Sequence, residues 1–193
     1  MNEFWDYILL LLGQFAGGPG PKENNLIRFG LAAVLWAVLL AVAWGRQRHQ
    51  ELPRERLLVW GFGLGLAREL YMFSHVSFQL LGWPTGEATH VSEPLEHALT
   101  MAAIVTVAGA FVRYILDDAL LSRRYLQIGL SITAVVFGVT WFWWHGYATV
   151  TAGARFNQTW GGVIFFVLTG FFAAVAIFFL ARRRTWLRNV VSL

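Results

Sequence analysis

The chain has 193 residues, of which 57% are hydrophobic and only 13% charged. About a quarter of the residues in soluble domains are charged, so water is not the solvent for most of this surface. The net charge of +4 does not indicate nucleic-acid binding, because nearly all Lys and Arg lie between apolar runs, and the lack of cysteine excludes disulfides, thiolate metal ligands and Cys nucleophiles.

The first apolar segment, residues 4–16, is too short to cross a bilayer, because a span needs about 20 residues. We expect a short interfacial helix there, ended by the Gly- and Pro-rich residues that follow. Longer apolar segments predict transmembrane helices at about residues 25–44, 57–83, 93–116, 125–147 and 159–181. The predicted fold is an all-α, polytopic membrane helix bundle, a single membrane domain over residues 1–193 with five transmembrane helices and a short N-terminal interfacial helix.

Local signals set the predicted helix boundaries. Trp83 and Pro84 are expected to end the second span, and residues 85–92 to form a loop. Ser92 is expected to cap the third span, with Pro94 tolerated in its first turn. The arginines that begin at Arg182 are expected to end the fifth span.

The basic residues fix the predicted orientation. One side of the bundle collects Arg46, Arg48, Arg54, Arg56, Arg123, Arg124, Arg182, Arg183, Arg184 and Arg188. The other side collects only Lys22, Arg28 and Arg155. By the positive-inside rule the N-terminus lies outside and the C-terminus in the cytoplasm.

Small residues on two spans predict close helix contacts. The second span carries Gly61, Gly63 and Gly65, and small residues recur at every fourth position of the third span: Ala98, Ala102, Thr106 and Ala110. Such stripes let the backbones of membrane helices approach closely.

Ionisable residues at membrane depth are costly, and each is therefore a candidate functional residue. The set predicted to sense a ligand or signal is Arg68, Glu69, His75, Glu93, Glu96 and His97. The second and third spans are joined by a short loop, so their outer parts should bring these residues together. We expect Arg68 to meet a carboxylate from another span, with Glu96 as a candidate, whereas its neighbour Glu69 points about 100° away and need not pair with it.

Three chemistries are open for this set. His75, Glu93 and His97 could bind a divalent metal such as zinc, iron or manganese. His75 and His97 could instead be the axial ligands of a haem. The third possibility is a proton- or ligand-responsive polar network, because histidine titrates near neutrality. His90 and His145 are expected to be solvated at the outer surface.

Three strings carry a resemblance to a known class of protein: LPRERLLVWGFGLGLARELYMF, EPLEHALTMAAIVTVAGAFVRYILDD and ARRRTWLRNVV. With them, residues 24–193 resemble the N-terminal multi-span input region of bacterial membrane sensor proteins, chiefly sensor histidine kinases with PAS or kinase domains downstream. The resemblance implies sensing, a homodimer, and a location in the bacterial inner membrane. The chain ends at Leu193 without such a domain, so we expect either a fragment or a stand-alone relative that signals through a partner.

The predicted function is a membrane-embedded sensory module that passes an extracytoplasmic or in-membrane signal to a cytoplasmic kinase or other output domain. No catalytic motif is present in the sequence, so we do not expect an enzyme, and the expected surroundings are the lipid bilayer rather than nucleic acid. The alternatives are a small transporter or channel subunit with a polar pathway through the membrane, or a membrane protein that binds a metal or haem.

Overall fold

The computed structural model describes the backbone over residues 22–50, 53–83, 86–151 and 155–191, and these ranges are helical apart from short turns. The long helices, numbered here in chain order, are α1 (Lys22–Gln50), α2 (Pro53–Leu80), α3 (Gly86–Leu116), α4 (Ala119–Val150) and α5 (Trp160–Val191). A single 3₁₀ turn, Phe156–Gln158, precedes α5. The interfacial helix predicted at residues 4–16 lies outside the described residues.

Four of these helices contain a segment long and apolar enough to cross a membrane. The segments are Asn24–His49, Glu93–Leu116, Ala119–Val150 and Trp160–Arg182. Large apolar side chains cover the outside of the bundle, with Phe142 83% and Phe166 80% exposed. An all-helical fold whose surface is apolar is suited to lipid, so the chain is a helical membrane protein.

Helix α3 lies at the centre of the bundle. It packs against α2 on one side and against α4 and α5 on the other, whereas α1 packs mainly on α2 and α4 touches α5 only sparsely. The apolar core lies on the α4–α5 side, where Met101 and Val105 of α3 meet Tyr125 of α4 and Phe172 of α5. Tyr125 also donates its hydroxyl to the Phe172 carbonyl at 2.8 Å.

Two glycines of α2 allow its close packing on both neighbours. A Cβ at Gly61 would lie 2.6 Å from Val107 Cγ2 of α3, and a Cβ at Gly65 would lie 2.6 Å from Trp36 Cδ2 of α1. The predicted close contacts are confirmed at these two positions, and they face different helices. Gly63 has nothing within 4 Å of its added Cβ and takes part in neither contact.

The end of α2 and the start of α3 differ from the sequence prediction. Helix α2 ends at Leu80, because Gly82 adopts a left-handed conformation with φ of +76° and the N–H groups of Gly82 and Trp83 bond to carbonyls of the last turn. Helix α3 begins at Gly86, so the prediction of a loop over residues 85–92 with a Ser92 cap is wrong. Pro94 lies in the helix interior instead of the first turn.

The boundaries at the opposite end of the bundle also differ in part. Helix α3 ends at Leu116, as predicted. Helix α4 begins earlier than expected, at Ala119, because the Asp118 carboxylate accepts the Leu121 N–H at 2.9 Å and caps the helix. Helix α5 continues as far as Val191, whereas its segment apolar enough to cross a membrane ends at Arg182, close to the predicted end of the fifth span.

Candidate functional site

An ion-paired cluster joins α2 to α3. The guanidinium of Arg68 donates from Nη1 to Glu69 Oε1 at 2.6 Å and from Nη2 to Glu96 Oε1. Arg68 and Glu69 belong to α2, whereas Glu96 lies one helix away on α3. The predicted pairing of Arg68 with Glu96 is confirmed. One guanidinium therefore bridges two carboxylates, with its planar fork of donors shared between two helices.

The pairing of Arg68 with Glu69 was not expected from helix geometry. Adjacent side chains leave a helix about 100° apart, and short side chains at such positions do not meet. Arginine has a long stem, which lets its guanidinium turn back over its own helix toward Glu69. The expectation that these neighbours need not pair is thus corrected: they form part of one network.

Helix α1 contributes a second arginine, which the sequence prediction did not include in the site. Arg28 interacts electrostatically with Arg68, Glu69 and Glu96. The guanidinium carbons of Arg28 and Arg68 lie 4.5 Å and 5.3 Å from the centre of the Phe29 ring. In the sequence, Arg28 was marked only by being a charged residue inside the predicted first span, residues 25–44. Its inclusion makes the cluster electrically balanced, with two guanidinium groups and two carboxylates.

The cluster is largely shielded from solvent. The side chains of Arg68, Glu69 and Glu96 retain only 19%, 9% and 17% exposure. Arg68 Nε and Glu69 Oε2 are buried and have no hydrogen-bond partner among the residues that the structure describes. Burial of ion pairs costs several kcal/mol per ion in desolvation, which only good geometry and mutual attraction offset. Such a network keeps its stability only while every charge is in place.

A second polar contact ties α3 to the start of α5. Glu93 Oε2 accepts the backbone N–H of Phe156 at 2.8 Å, across 63 positions of the chain. Phe156 is fully buried, and its ring meets Trp144 of α4 and Phe165 of α5. Gly161 permits this position, because a Cβ there would lie 2.6 Å from the Phe156 ring. The sequence prediction did not include Phe156, since no motif marks it.

The two predicted sensing histidines lie in different surroundings. His75 Nε2 lies 2.9 Å from Gln79 Nε2 on the same face of α2, and His75 also interacts electrostatically with Glu96. His97 Nδ1 lies 2.9 Å from the Glu93 carbonyl oxygen, and its ring packs edge-on against Phe156. The predicted set therefore divides between the α2–α3 cluster and the Phe156 contact.

The structure does not gather a metal-ligand set in the part it describes. No group of three or more His, Cys, Asp or Glu side chains there lies close enough to hold a metal ion. Glu93 is engaged by the Phe156 N–H, and each of the two histidines has one ring nitrogen beside another polar atom. The metal site at His75, Glu93 and His97 and the haem alternative stay predictions, which metal analysis and an absorption spectrum would test.

Two further histidines were expected to be solvated at the outer surface. His145 is an exposed residue near the end of α4. The side chain of His90 lies outside the described residues.

No protein-family model, no characterised protein and no solved structure matches this chain. We therefore infer the function from the geometry of the site.

Proposed function

We propose that this chain is a membrane-embedded sensory module in which the α2–α3 cluster receives the signal. The observation that carries the proposal is the bridge from Arg68 to both Glu69 and Glu96. A signal that adds, removes or moves a charge at this interface changes the free energy of the α2–α3 contact. A switch requires two states with different contacts, and a buried ion pair that can open supplies such a difference.

The topology that we propose has five spans, with the N-terminus outside and the C-terminus in the cytoplasm of a bacterium. Helix α2 packs between α1 and α3, and both of those have segments apolar enough to span. Its mid-helix charges, Arg68 and Glu69, are paired within the bundle. The pairing lowers the free energy of placing these charged side chains inside the bilayer, so α2 can serve as the fifth span. The arginine-rich end then faces inward by the positive-inside rule, and the cluster lies in the outer half.

The route from the cluster to the cytoplasm runs through α3 and α5. Helix α3 carries Glu96, which pairs with Arg68 of α2. It also carries Glu93, which accepts the N–H of Phe156 in the turn before α5. Helix α5 is continuous from Trp160 to Val191, so it extends about 48 Å at about 1.5 Å per residue. A shift of α3 against α2 would reach the inner end of α5 as a movement of a rigid helix.

The output lies outside the bundle in this proposal. The chain would form a homodimer with a cytoplasmic kinase or other output domain, which belongs to this chain or to a partner. The activity of that domain would depend on the position of α5. The resemblance of residues 24–193 to the input regions of sensor histidine kinases favours that arrangement.

A transporter receives less support from the same geometry. A pathway across the membrane needs polar groups at successive depths, but residues 57–67 of α2 carry no charged side chain. On α3, the Thr106 hydroxyl donates to the carbonyl of Ala102 in its own helix. The next buried charged side chain of α2 toward its start is Glu55, about 20 Å from Arg68 along the helix, and this gap favours a receiving site over a continuous path.

Spin-label distances provide a direct test. The sequence contains no cysteine, so introduced cysteines at Trp60 and Ala181 would carry the only labels. Both residues are exposed, and they lie toward the inner ends of α2 and α5, which the proposed shift moves relative to each other. We expect the distance between the labels in lipid nanodiscs to change when the pH is lowered from about 8 to about 5 or when the bilayer thickness is changed. Glu96→Gln should abolish the change.

Ser74→Ala is the matched control, because the Ser74 hydroxyl is exposed and bonds only to the Leu70 carbonyl of its own helix. It should respond like the original protein. Distances that stay constant under both stimuli, or a response that survives Glu96→Gln, would contradict the proposal.

A further inference from the structure

The end of the bundle opposite the cluster carries two neighbouring helix connections. Gly30 of α1 faces Phe73 of α2, and Gly65 of α2 faces Trp36 of α1, so these helices are antiparallel. The contacts of Gly61 with Val107 and of Arg68 with Glu96 show in the same way that α3 is antiparallel to α2. The end of α1, the start of α2, the end of α3 and the start of α4 therefore lie at one level.

Exposed arginines concentrate at this level. Arg46, Arg48, Arg56, Arg123 and Arg124 all have exposed side chains. Among the residues with described side chains, none of the five forms an ion pair. This surface, here called the arginine rim, carries several positive charges that the described part of the chain does not neutralise.

The nearby carboxylates with described side chains do not pair with these five arginines. Asp118 caps α4 by accepting the Leu121 N–H, and Asp117 lies 3.7 Å from Arg113. Glu55 is only 1% exposed and forms no ion pair with a described arginine. The rim is therefore open to an external anion.

Aromatic residues place the rim at the depth of lipid headgroups. Trp44 and Trp60 are 48% and 62% exposed and lie within a turn or so of Arg48 and Arg56. Exposed Trp in membrane proteins gathers at the boundary between hydrocarbon and water. The Arg48 guanidinium carbon lies 5.3 Å from the centre of the Trp44 ring, which holds this charge at that boundary.

The choice of arginine over lysine narrows the chemistry of the anion. Lys22 is the only lysine in the sequence, so every basic side chain of the rim is a guanidinium. Either residue orients a membrane protein equally well. Arginine differs in presenting paired donors that match two phosphate oxygens, whereas lysine acts as a point charge.

We propose that the arginine rim is a binding surface for anionic phospholipids, which it recognises through the phosphate of the headgroup. Bidentate contacts from arginines of the rim, among them Arg46, Arg48 and Arg56, hold the phosphates of surrounding headgroups, and the exposed apolar face of α1 accompanies the acyl chains. The surface does not depend on the sensory function. Only the assignment of the rim to the inner leaflet depends on the orientation proposed above.

Native mass spectrometry of the full chain in a non-ionic detergent tests this proposal. We expect phosphatidylglycerol to bind at least about ten-fold more tightly than phosphatidylcholine, since each basic residue near an anionic surface contributes roughly a factor of five. Replacing Arg46, Arg48 and Arg56 together by Gln should remove that preference. Inorganic phosphate should not displace the lipid.

A triple replacement by Lys keeps the charge and the orientation signal, so it remains informative if the Gln variant fails to fold. It should recover only part of the affinity, because an ammonium group cannot make the paired contacts. Lys22→Gln with Arg155→Gln, at the other end of the bundle, is the matched control and should bind like the original protein. Equal affinity for the two lipids, displacement by phosphate, or full affinity in the Lys variant would overturn the proposal.

Discussion

The two sides of α3 are held by different chemistry. Toward α2, the contact includes the Arg68–Glu96 ion pair and the close approach of Gly61 to Val107. Toward α4 and α5, it consists mainly of apolar and aromatic packing, with hydrogen bonds such as that from Ser122 Oγ to the Gly109 carbonyl at 2.8 Å and that from the Phe156 N–H to Glu93. Among the described side chains, an ion pair between two helices occurs only on the first side.

This difference determines which interface a signal can move. Dispersion contacts are individually small, so a packed apolar interface changes little when one of its contacts is altered. A buried ion pair fails when a single partner is lost, because the remaining charge has no compensation. The α2–α3 interface is therefore the side of α3 that a change of charge can open, and the α4–α5 side moves with α3 as a unit.

The largest expected effect comes from removing Glu96. Glu96→Gln leaves Arg68 with one carboxylate inside the bundle and should lower the free energy of unfolding by about 3–5 kcal/mol. Thermal unfolding of the purified protein in detergent measures it. Replacing Arg68 by Gln in the same chain should recover part of the loss, since the uncompensated charge is then removed. A double variant less stable than both single variants would contradict the buried pair.

Loss of the Glu93 carboxylate should have the next largest effect. Glu93→Ala leaves the Phe156 N–H without its acceptor, and a hydrogen bond to a charged group contributes about 1.5–3 kcal/mol. Hydrogen exchange at the Phe156 amide should accelerate by roughly 10- to 100-fold. The exchange at Tyr147 and Val163, on either side of the turn, should change far less. Acceleration spread evenly over α4 and α5 would indicate global destabilisation instead.

The glycines of α2 provide a matched comparison. Gly61→Ala places a Cβ 2.6 Å from Val107 Cγ2 and 3.0 Å from the Val107 backbone nitrogen, so it should destabilise the α2–α3 contact by about 1–3 kcal/mol. Gly63→Ala meets nothing within 4 Å and should be neutral or stabilising by about 0.5–1 kcal/mol. Unfolding in detergent measures both changes. Equal effects at the two positions would show that α2 does not pack as described.

The smallest expected effect lies on the other side of α3. Tyr125→Phe removes only the hydroxyl that donates to the Phe172 carbonyl, and such a bond contributes about 0.5–1.5 kcal/mol. The packing of the ring remains. We expect a drop in unfolding temperature smaller than that of Gly61→Ala. A loss as large as that of Glu96→Gln would mean that this side also depends on a single polar group.

The sequence by itself determined the helical class and the candidate polar residues. Long apolar segments predict membrane helices, because an isolated helix satisfies its own backbone in lipid. Residue spacing was also sufficient to identify Glu96 as a partner of Arg68, since two antiparallel neighbours joined by a short connection place their outer parts together. These inferences need only local pattern and the order of the helices.

Only the tertiary structure decided the other contacts across the bundle. Arg28 joins the cluster because α1 packs on α2, and Phe156 fills the space beside Glu93 because the turn before α5 folds back onto α3. Gly61 and Gly65 face different helices, although they lie four residues apart. Such contacts depend on the rotation of each helix about its axis and on its depth in the membrane. Side-chain packing sets both, and the hydrophobic pattern alone does not determine them.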